Sequence, residues 1–233
     1  MGGYRQLREQ VLEANLELHR RGLVLYTFGN VSQVDRDRGV VAIKPSGVSY
    51  EELSASDIVV VDLENQVVKG KLRPSSDTRT HTYLYRHFPG IGGVTHTHST
   101  HATAWAQARA AIPCLGTTHA DYCYGQIPCT EVISDAQIER DYEAETGAQI
   151  AAAFAARDAA AVPMVLVAGH GPFTWGRDAA QAVYHAVVLE ELARMAWLTR
   201  AIDPGVGPIN QAILDKHYQR KHGADAYYGQ PGH

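Results

Sequence analysis

The chain has 233 residues, enough for one domain or at most two small ones, with 45% apolar and 20% charged side chains and a formal net charge of −4. This balance describes a folded globular protein with an ample core, gives no support to a polyanion-binding surface, and contains no apolar run of membrane-spanning length. Cys114, Cys123 and Cys129 are odd in number and lack CxxC spacing, which argues against a disulfide framework and against a cysteine zinc ribbon. The opening MGGYRQLREQ has no hydrophobic signal core, and Gln6 breaks the myristoylation pattern that Gly2 would begin, so a reducing cytoplasmic setting is expected.

Residues 4–21 carry apolar positions at helical spacing, and Gly22 suits a C-terminal cap. LVLYTF (23–28) and GVVAIK (39–44) read as strands on either side of the charged turn DRDRG. DIVVVDL and QVVKG repeat the hairpin pattern around Glu64-Asn65. Pro74-Ser75-Ser76-Asp77 is a turn feeding a helix, with Ser75 or Ser76 as N-cap. GGVTHTH is a strand and STHATAWAQARA the helix after it. Ser134 with Gln137 makes a capping box for a long helix to about Arg157. VPMVLVA is a buried strand running into Gly169-His170-Gly171-Pro172, and helices follow over 178–200 and 208–221. No repeat, linker or composition break appears. The expectation is a single domain over residues 1–233, an α/β/α three-layer fold with a largely antiparallel sheet.

His96 and His98 sit two apart on a strand, so both imidazoles face one point. A catalytic zinc takes three protein ligands and keeps open positions, and His170, flanked by glycines at another strand end, is the best third. His101 lies one helical turn beyond and reads as a supporting residue or a bystander; His81 and His87 read as residues of a polar helix, and His119 is ambiguous. No Asp follows the pair as in HxHxDH hydrolases, no Glu as in cupin barrels, and HExxH is absent. Two similar turns, Lys44-Pro45-Ser46-Gly47 and Pro74-Ser75-Ser76-Asp77, offer hydroxyls and backbone N–H groups to an anion, with Gly29-Asn30 as a third small polar turn. Beside a metal they suggest a small phosphorylated substrate, with Lys44 adding charge and Asp77 facing the metal as base or extra ligand. Asp121, in a Gly-bounded loop, and Tyr228, in AYYGQ, are acid–base candidates, with a surface carboxylate and a packing tyrosine as the plain readings.

FGNVS, IKPSGV, LRPSSDT, HTHSTHATAWAQ, GTTHADYCYG, HGPFTWG and ILDKHYQRKHGADAYYGQ together resemble the class II aldolase/adducin-like family, in its ketopentose-phosphate 4-epimerase branch, over nearly the whole chain. Arg73 stands where Lys was expected and Gly169 where Ser was expected, and a Pro-Gly-His tail follows Gln230. The resemblance implies one Zn²⁺ per subunit held by His96, His98 and His170 with Asp77 nearby. It implies a phosphate site of Ser46, Gly47, Ser75 and Ser76 lined by Asn30 and Lys44, and Asp121 with Tyr228 as the acid–base pair. It also implies a homotetramer with active sites between subunits, no nucleic-acid or membrane partner, and a setting in carbohydrate catabolism, either arabinose or L-ascorbate-type breakdown. The implied reaction interconverts L-ribulose 5-phosphate and D-xylulose 5-phosphate. The C4 proton is not α to the carbonyl, so the centre inverts by retro-aldol C3–C4 cleavage and re-addition rather than by deprotonation. The rivals are a sugar-phosphate aldolase that stops after cleavage, disfavoured by Asp77 where aldolases commonly carry Glu, and a non-catalytic adducin-like module, which has no need of three histidines.

Overall fold

The computed structural model describes residues 3–228; Gly2 and the Pro231-Gly232-His233 tail lie outside the described residues. Seven strands form one sheet: β1 (Asn30–Asp35), β2 (Val40–Ile43), β3 (Val59–Asp62), β4 (Val67–Lys69), β5 (Gly93–His96), β6 (Met164–Leu166) and β7 (Pro172–Gly176). Their spatial order is β4-β3-β2-β1-β5-β7-β6, and every ladder is antiparallel. Seven helices accompany them: α1 (Arg5–Arg20), α2 (Thr78–His87), α3 (Thr100–Gln107), α4 (Thr117–Ala120), α5 (Asp135–Ala153), α6 (Ala179–Ile202) and α7 (Gln211–His222). Among the described residues no helix is long and apolar enough to cross a membrane.

Period-two alternation sorts side chains to the two faces of the sheet. Ser32, Val94, His96, Phe173 and Trp175 share one face, because Ser32 pairs with Val94, Val94 with Trp175 and His96 with Phe173 across the ladders. That face packs on α2, which packs in turn on α5. Trp175 fills its centre between Phe88 and Phe154, at ring distances of 5.4 and 5.0 Å, and its indole N–H donates to Ala159 O at 2.7 Å. Such a buried Trp is worth about 3–5 kcal/mol against Ala. The other face meets α1 and α6: Asn15 clamps the backbone of Val31 from α1, and Thr174 Oγ1 donates to Ala182 O of α6. The three-layer α/β/α architecture with an antiparallel sheet is as expected.

Two elements differ from their sequence reading. LVLYTF is not a strand. Leu23 and Val24 are buried, but Leu25 and Tyr26 are 64% and 79% exposed, Tyr26 takes a left-handed φ of 51°, and the chain turns there, with Phe28 N–H donating to Leu25 O. The strand is the segment that follows, NVSQVD, reached through Gly29 at φ 72°. A Cβ at Gly29 would lie 2.8 Å from His96 O, so the chain enters β1 beside β5 only with glycine there. The second is β7. PFTWG, to which the sequence reading assigned no element, forms an interior strand although it opens on proline, a residue tolerated at a strand's first position. Two boundaries also move: α5 stops at Ala153 and is broken at Asp141, and Asp77, not Ser75 or Ser76, occupies the N-cap of α2.

Candidate active site

Antiparallel pairing brings three chain segments to one end of the sheet. β5 ends at His96, opposite Asn30, the first residue of β1, and Phe173, near the start of β7. His98 follows β5 in the turn into α3. His170 sits in the β6–β7 connection, closed by Val167 N–H donating to Gly171 O at 2.9 Å. The three imidazoles converge: one nitrogen from each lies within 4.8 Å of the others, and His96 Nε2 and His98 Nε2 are 3.0 Å apart.

The rings are held from behind. His96 Nδ1 donates to Pro172 O at 2.9 Å, which leaves its Nε2 lone pair facing the cluster. His170 Nδ1 lies 3.3 Å from the hydroxyl of Tyr142, just past the α5 break. The turn carrying His98 is anchored by Glu190 of α6, whose carboxylate accepts from His101 N–H, Ala102 N–H and His101 Nδ1 at 2.7 to 3.0 Å. His101 thus belongs to this anchor. Neither Tyr142 nor Glu190 carries a sequence signal, since both act across the fold.

Burial pushes the His170 imidazole down to about 4 and lowers His98 as well, with the neighbouring histidines adding to the effect. Both rings are therefore neutral at pH 7 and have lone pairs to give. Three convergent imidazoles, with one nitrogen pair 3.0 Å apart and all three within 4.8 Å, suit tetrahedral zinc, whose ligand nitrogens sit ~2.0–2.1 Å from the ion and so about 3.3 Å from one another. The donor set fits a divalent transition metal. Asp77 is not part of the converging set. Burial raises its pKa, but His96, His81 and the Asn30 hydrogen bond outweigh that and leave it below the usual carboxylate value. Its Oδ2 accepts from Asn30 Nδ2 at 2.6 Å.

The two Pro-Ser turns are stitched into one unit. Pro45 and Pro74 form an antiparallel bridge, Ser46 N–H donates to Arg73 O, and Ser75 N–H donates to Lys44 O. Ser46, Gly47 and Ser76 lie toward the rim, while Ser75 is buried and accepts from Asn30 Nδ2 at 3.0 Å. Asn30 therefore joins the halves, pairing with His96 along the ladder and touching Ser75 and Asp77 with its amide. Lys44 is buried, packs over the Tyr50 ring at 4.8 Å and donates to Val48 O; burial lowers its pKa to about 8.

Asp121 and Tyr228 are brought to each other but not to the histidines. Asp121 caps α4, and its carboxylate accepts from Arg220 at 2.8 and 3.1 Å and from His217 Nδ1 at 3.1 Å, with Lys221 at 3.7 Å. Burial raises its pKa, but these partners on α7 outweigh it and hold it low. The exposed Tyr228 lays its ring over Arg220 and Lys221, at 5.2 and 4.3 Å. Among the described residues no hydrogen bond, ion pair or ring contact joins this second cluster to the three histidines. His119, ambiguous in sequence, is buried and donates to Gly125 O at 2.9 Å, closing the loop that follows Asp121.

The chain is 55% identical over 225 residues to the L-ribulose-5-phosphate 4-epimerase UlaF of Salmonella paratyphi A, covering 97% of this chain and 99% of the relative, and equally to that of Salmonella typhi. Among solved structures it resembles an L-fuculose 1-phosphate aldolase with a TM-score of 0.80 at 24% identity, covering 92% of this chain and 95% of the other. An L-fuculose-1-phosphate aldolase from Thermus thermophilus gives 0.68 at 24% identity, with 88% of this chain and all of the other covered. The family model described as class II aldolase and adducin N-terminal domain matches residues 9–197, the span that holds the sheet, the three histidines and both turns. With a fold, a histidine cluster and a sequence that all agree, the chain belongs to the class II aldolase and adducin family.

Proposed function

We propose that this protein is a cytoplasmic, metal-dependent isomerase that interconverts L-ribulose 5-phosphate and D-xylulose 5-phosphate. The carrying observation is the pairing of three convergent imidazoles with two bridged Pro-Ser turns, joined through Asn30, which supports reading the turns as an anion cup. Relatives 55% identical over almost their full length are named as L-ribulose-5-phosphate 4-epimerases, which supports the substrate and the reaction.

In this reading His96, His98 and His170 hold one Zn²⁺, with Asp77 close by. The ion supplies Lewis-acid stabilisation for negative charge on the substrate's C2 and C3 oxygens. Ser46, Gly47, Ser75 and Ser76 hold the phosphate, with Lys44 and Asn30 lining the cup, and so retain the aldehyde fragment after C3–C4 cleavage. Rotation of that fragment and re-addition inverts C4. The C4 oxygen loses a proton on cleavage and regains one on the other face, so two carriers on opposite sides are required. Asp121 and Tyr228 suit that task, but within one chain they stand apart from the metal cluster. We therefore assign them to the neighbouring subunit's site, in a homotetramer of single-domain chains. The exposed apolar run Met195, Trp197, Leu198 and Ile202 on α6 supports association.

The assay incubates the protein with L-ribulose 5-phosphate, with and without chelator, and analyses products. Epimerase activity gives D-xylulose 5-phosphate that disappears on chelation. Accumulation of free glycolaldehyde phosphate and dihydroxyacetone would instead make the protein an aldolase, and chelator-resistant turnover would remove the metal from the mechanism.

A further inference from the structure

Sequence pattern places His81 on a polar helix with no task. In the fold it is fully enclosed, one helical turn after Asp77 on the same side of α2. Side chains on a helix lean toward its N-terminus, so the His81 ring leans toward the turn that carries Asp77. It meets Phe173 edge-on at 5.9 Å, and His96 stacks on that same phenyl ring at 4.2 Å.

A buried polar chain fixes its proton. His81 Nδ1 lies 2.7 Å from Ser32 Oγ, and Ser32 Oγ lies 2.8 Å from the hydroxyl of Tyr85, which has no other side-chain partner among the described residues. If His81 Nδ1 donated to Ser32 and Ser32 to Tyr85, the Tyr85 hydrogen would be left without an acceptor in a buried site. If Tyr85 donates to Ser32 and Ser32 donates to His81 Nδ1, both hydroxyl hydrogens are used. The second arrangement leaves a single orphan, an N–H on His81 Nε2, and that atom is buried without a partner among the described residues. A buried unpaired N–H is costly and calls for a reason. One turn earlier on the same side of α2, Asp77 engages Asn30 through Oδ2, and among the described residues no side chain donates to its Oδ1.

We propose that His81 is a positioning residue of the metal centre, its Nε2–H donating to Asp77 Oδ1 when zinc is bound and so fixing the negative charge beside His96 and His170. Tyr85 and Ser32 serve by imposing the tautomer that makes this donation available. This rests on the reading of the three histidines as a zinc site. The relay Tyr85–Ser32–His81–Asp77 runs from the core of the sheet to the rim of that site. It gives a buried polar group on α2 a task that packing alone does not explain.

The test is zinc affinity, by chelator competition, for the parent protein, His81→Leu and His81→Gln. Glutamine reaches the Nε2 position with an N–H; leucine fills the volume without one. We expect zinc to bind His81→Leu about tenfold to a hundredfold more weakly than the parent, and glutamine to restore it to within about threefold. A purely structural histidine would lower Tm in the leucine variant and leave zinc affinity within about twofold of the parent, which overturns the proposal, as does a glutamine variant no better than leucine. If His81→Leu does not fold, a neutron structure of the zinc-loaded parent decides. Deuterium on Nε2 directed at Asp77 supports the relay, and deuterium on Nδ1 refutes it. A parent that binds no zinc would fail the metal reading itself, a result distinct from either.

Discussion

Gly171 leaves no room for a methyl group. A Cβ there would lie 2.9 Å from Thr97 O and about van der Waals distance from both the His98 and His96 rings, at 3.4 and 3.5 Å. Thr97 lies between His96 and His98, so Gly171→Ala pushes directly on the backbone that spaces them. We expect zinc affinity to fall by about tenfold or more, measured by chelator competition, because ligand convergence tolerates little displacement. His96 and His98 are legible in the sequence from their spacing, although β5 ends at His96, short of the expected strand, and it is the turn after it that brings the His98 ring to the same point. His170 is legible from its flanking glycines. Tyr142 and Glu190 are not, since a hydroxyl meeting a ring across 28 positions, or a carboxylate holding a turn from 89 positions away, leaves no local pattern. His81 misleads for a related reason: helix polarity suggests solvent, and the sheet covers it.

The paired turns act as one element. The bridge between Pro45 and Pro74 and the exchange of backbone hydrogen bonds hold the serine donors at a common rim while Lys44 is drawn inward. Because burial brings Lys44 to about 8, its charge is complete well below that pH and is lost above it. Substrate KM should therefore rise as pH passes from about 8 to about 9, by about tenfold at most, and Lys44→Met should flatten that limb in a steady-state pH profile. The turn motifs announce themselves through Pro-Ser repetition, yet nothing in either says that one bridges the other. The strand boundaries show the same gap between local and distant information. Apolar LVLYTF looks like a strand, but Gly29 and the proximity of His96 O shift pairing to the more polar NVSQVD, whose alternation only makes sense with helices on both sides.

At the scale of the molecule, buried histidines set the acid limit. Burial pushes His119 down to about 4, below its ordinary 6.5. As pH falls, the unfolded chain takes up this proton first, so the stabilisation is complete above about pH 6.5 and is lost progressively toward about pH 4, amounting to roughly 3 kcal/mol. Thermal melts of metal-free protein across this window should show Tm falling with pH, and His119→Gln should have the shallower dependence. Assembly is tested by mixing. On the proposed mechanism His96→Asn removes a metal ligand and Asp121→Asn a proton carrier, so each is expected to be inactive alone, the second with its zinc retained. If sites form between subunits, unfolding and refolding the two together should restore activity in about a quarter of the sites. No recovery in verified mixed oligomers would place the whole site within one chain.

The separation of the two clusters has a further consequence. The three histidines gather at one end of the sheet, whereas Asp121 caps α4 and Tyr228 follows α7, two helices that pack chiefly on each other. On the proposed mechanism such a division lets the peripheral helices diverge while the histidine cluster stays put. A lineage that loses the second carrier would release its fragments instead of rejoining them. One scaffold can in this way serve both bond-breaking and stereochemical inversion, and the difference between those outcomes would be written in these outlying helices rather than around the ion.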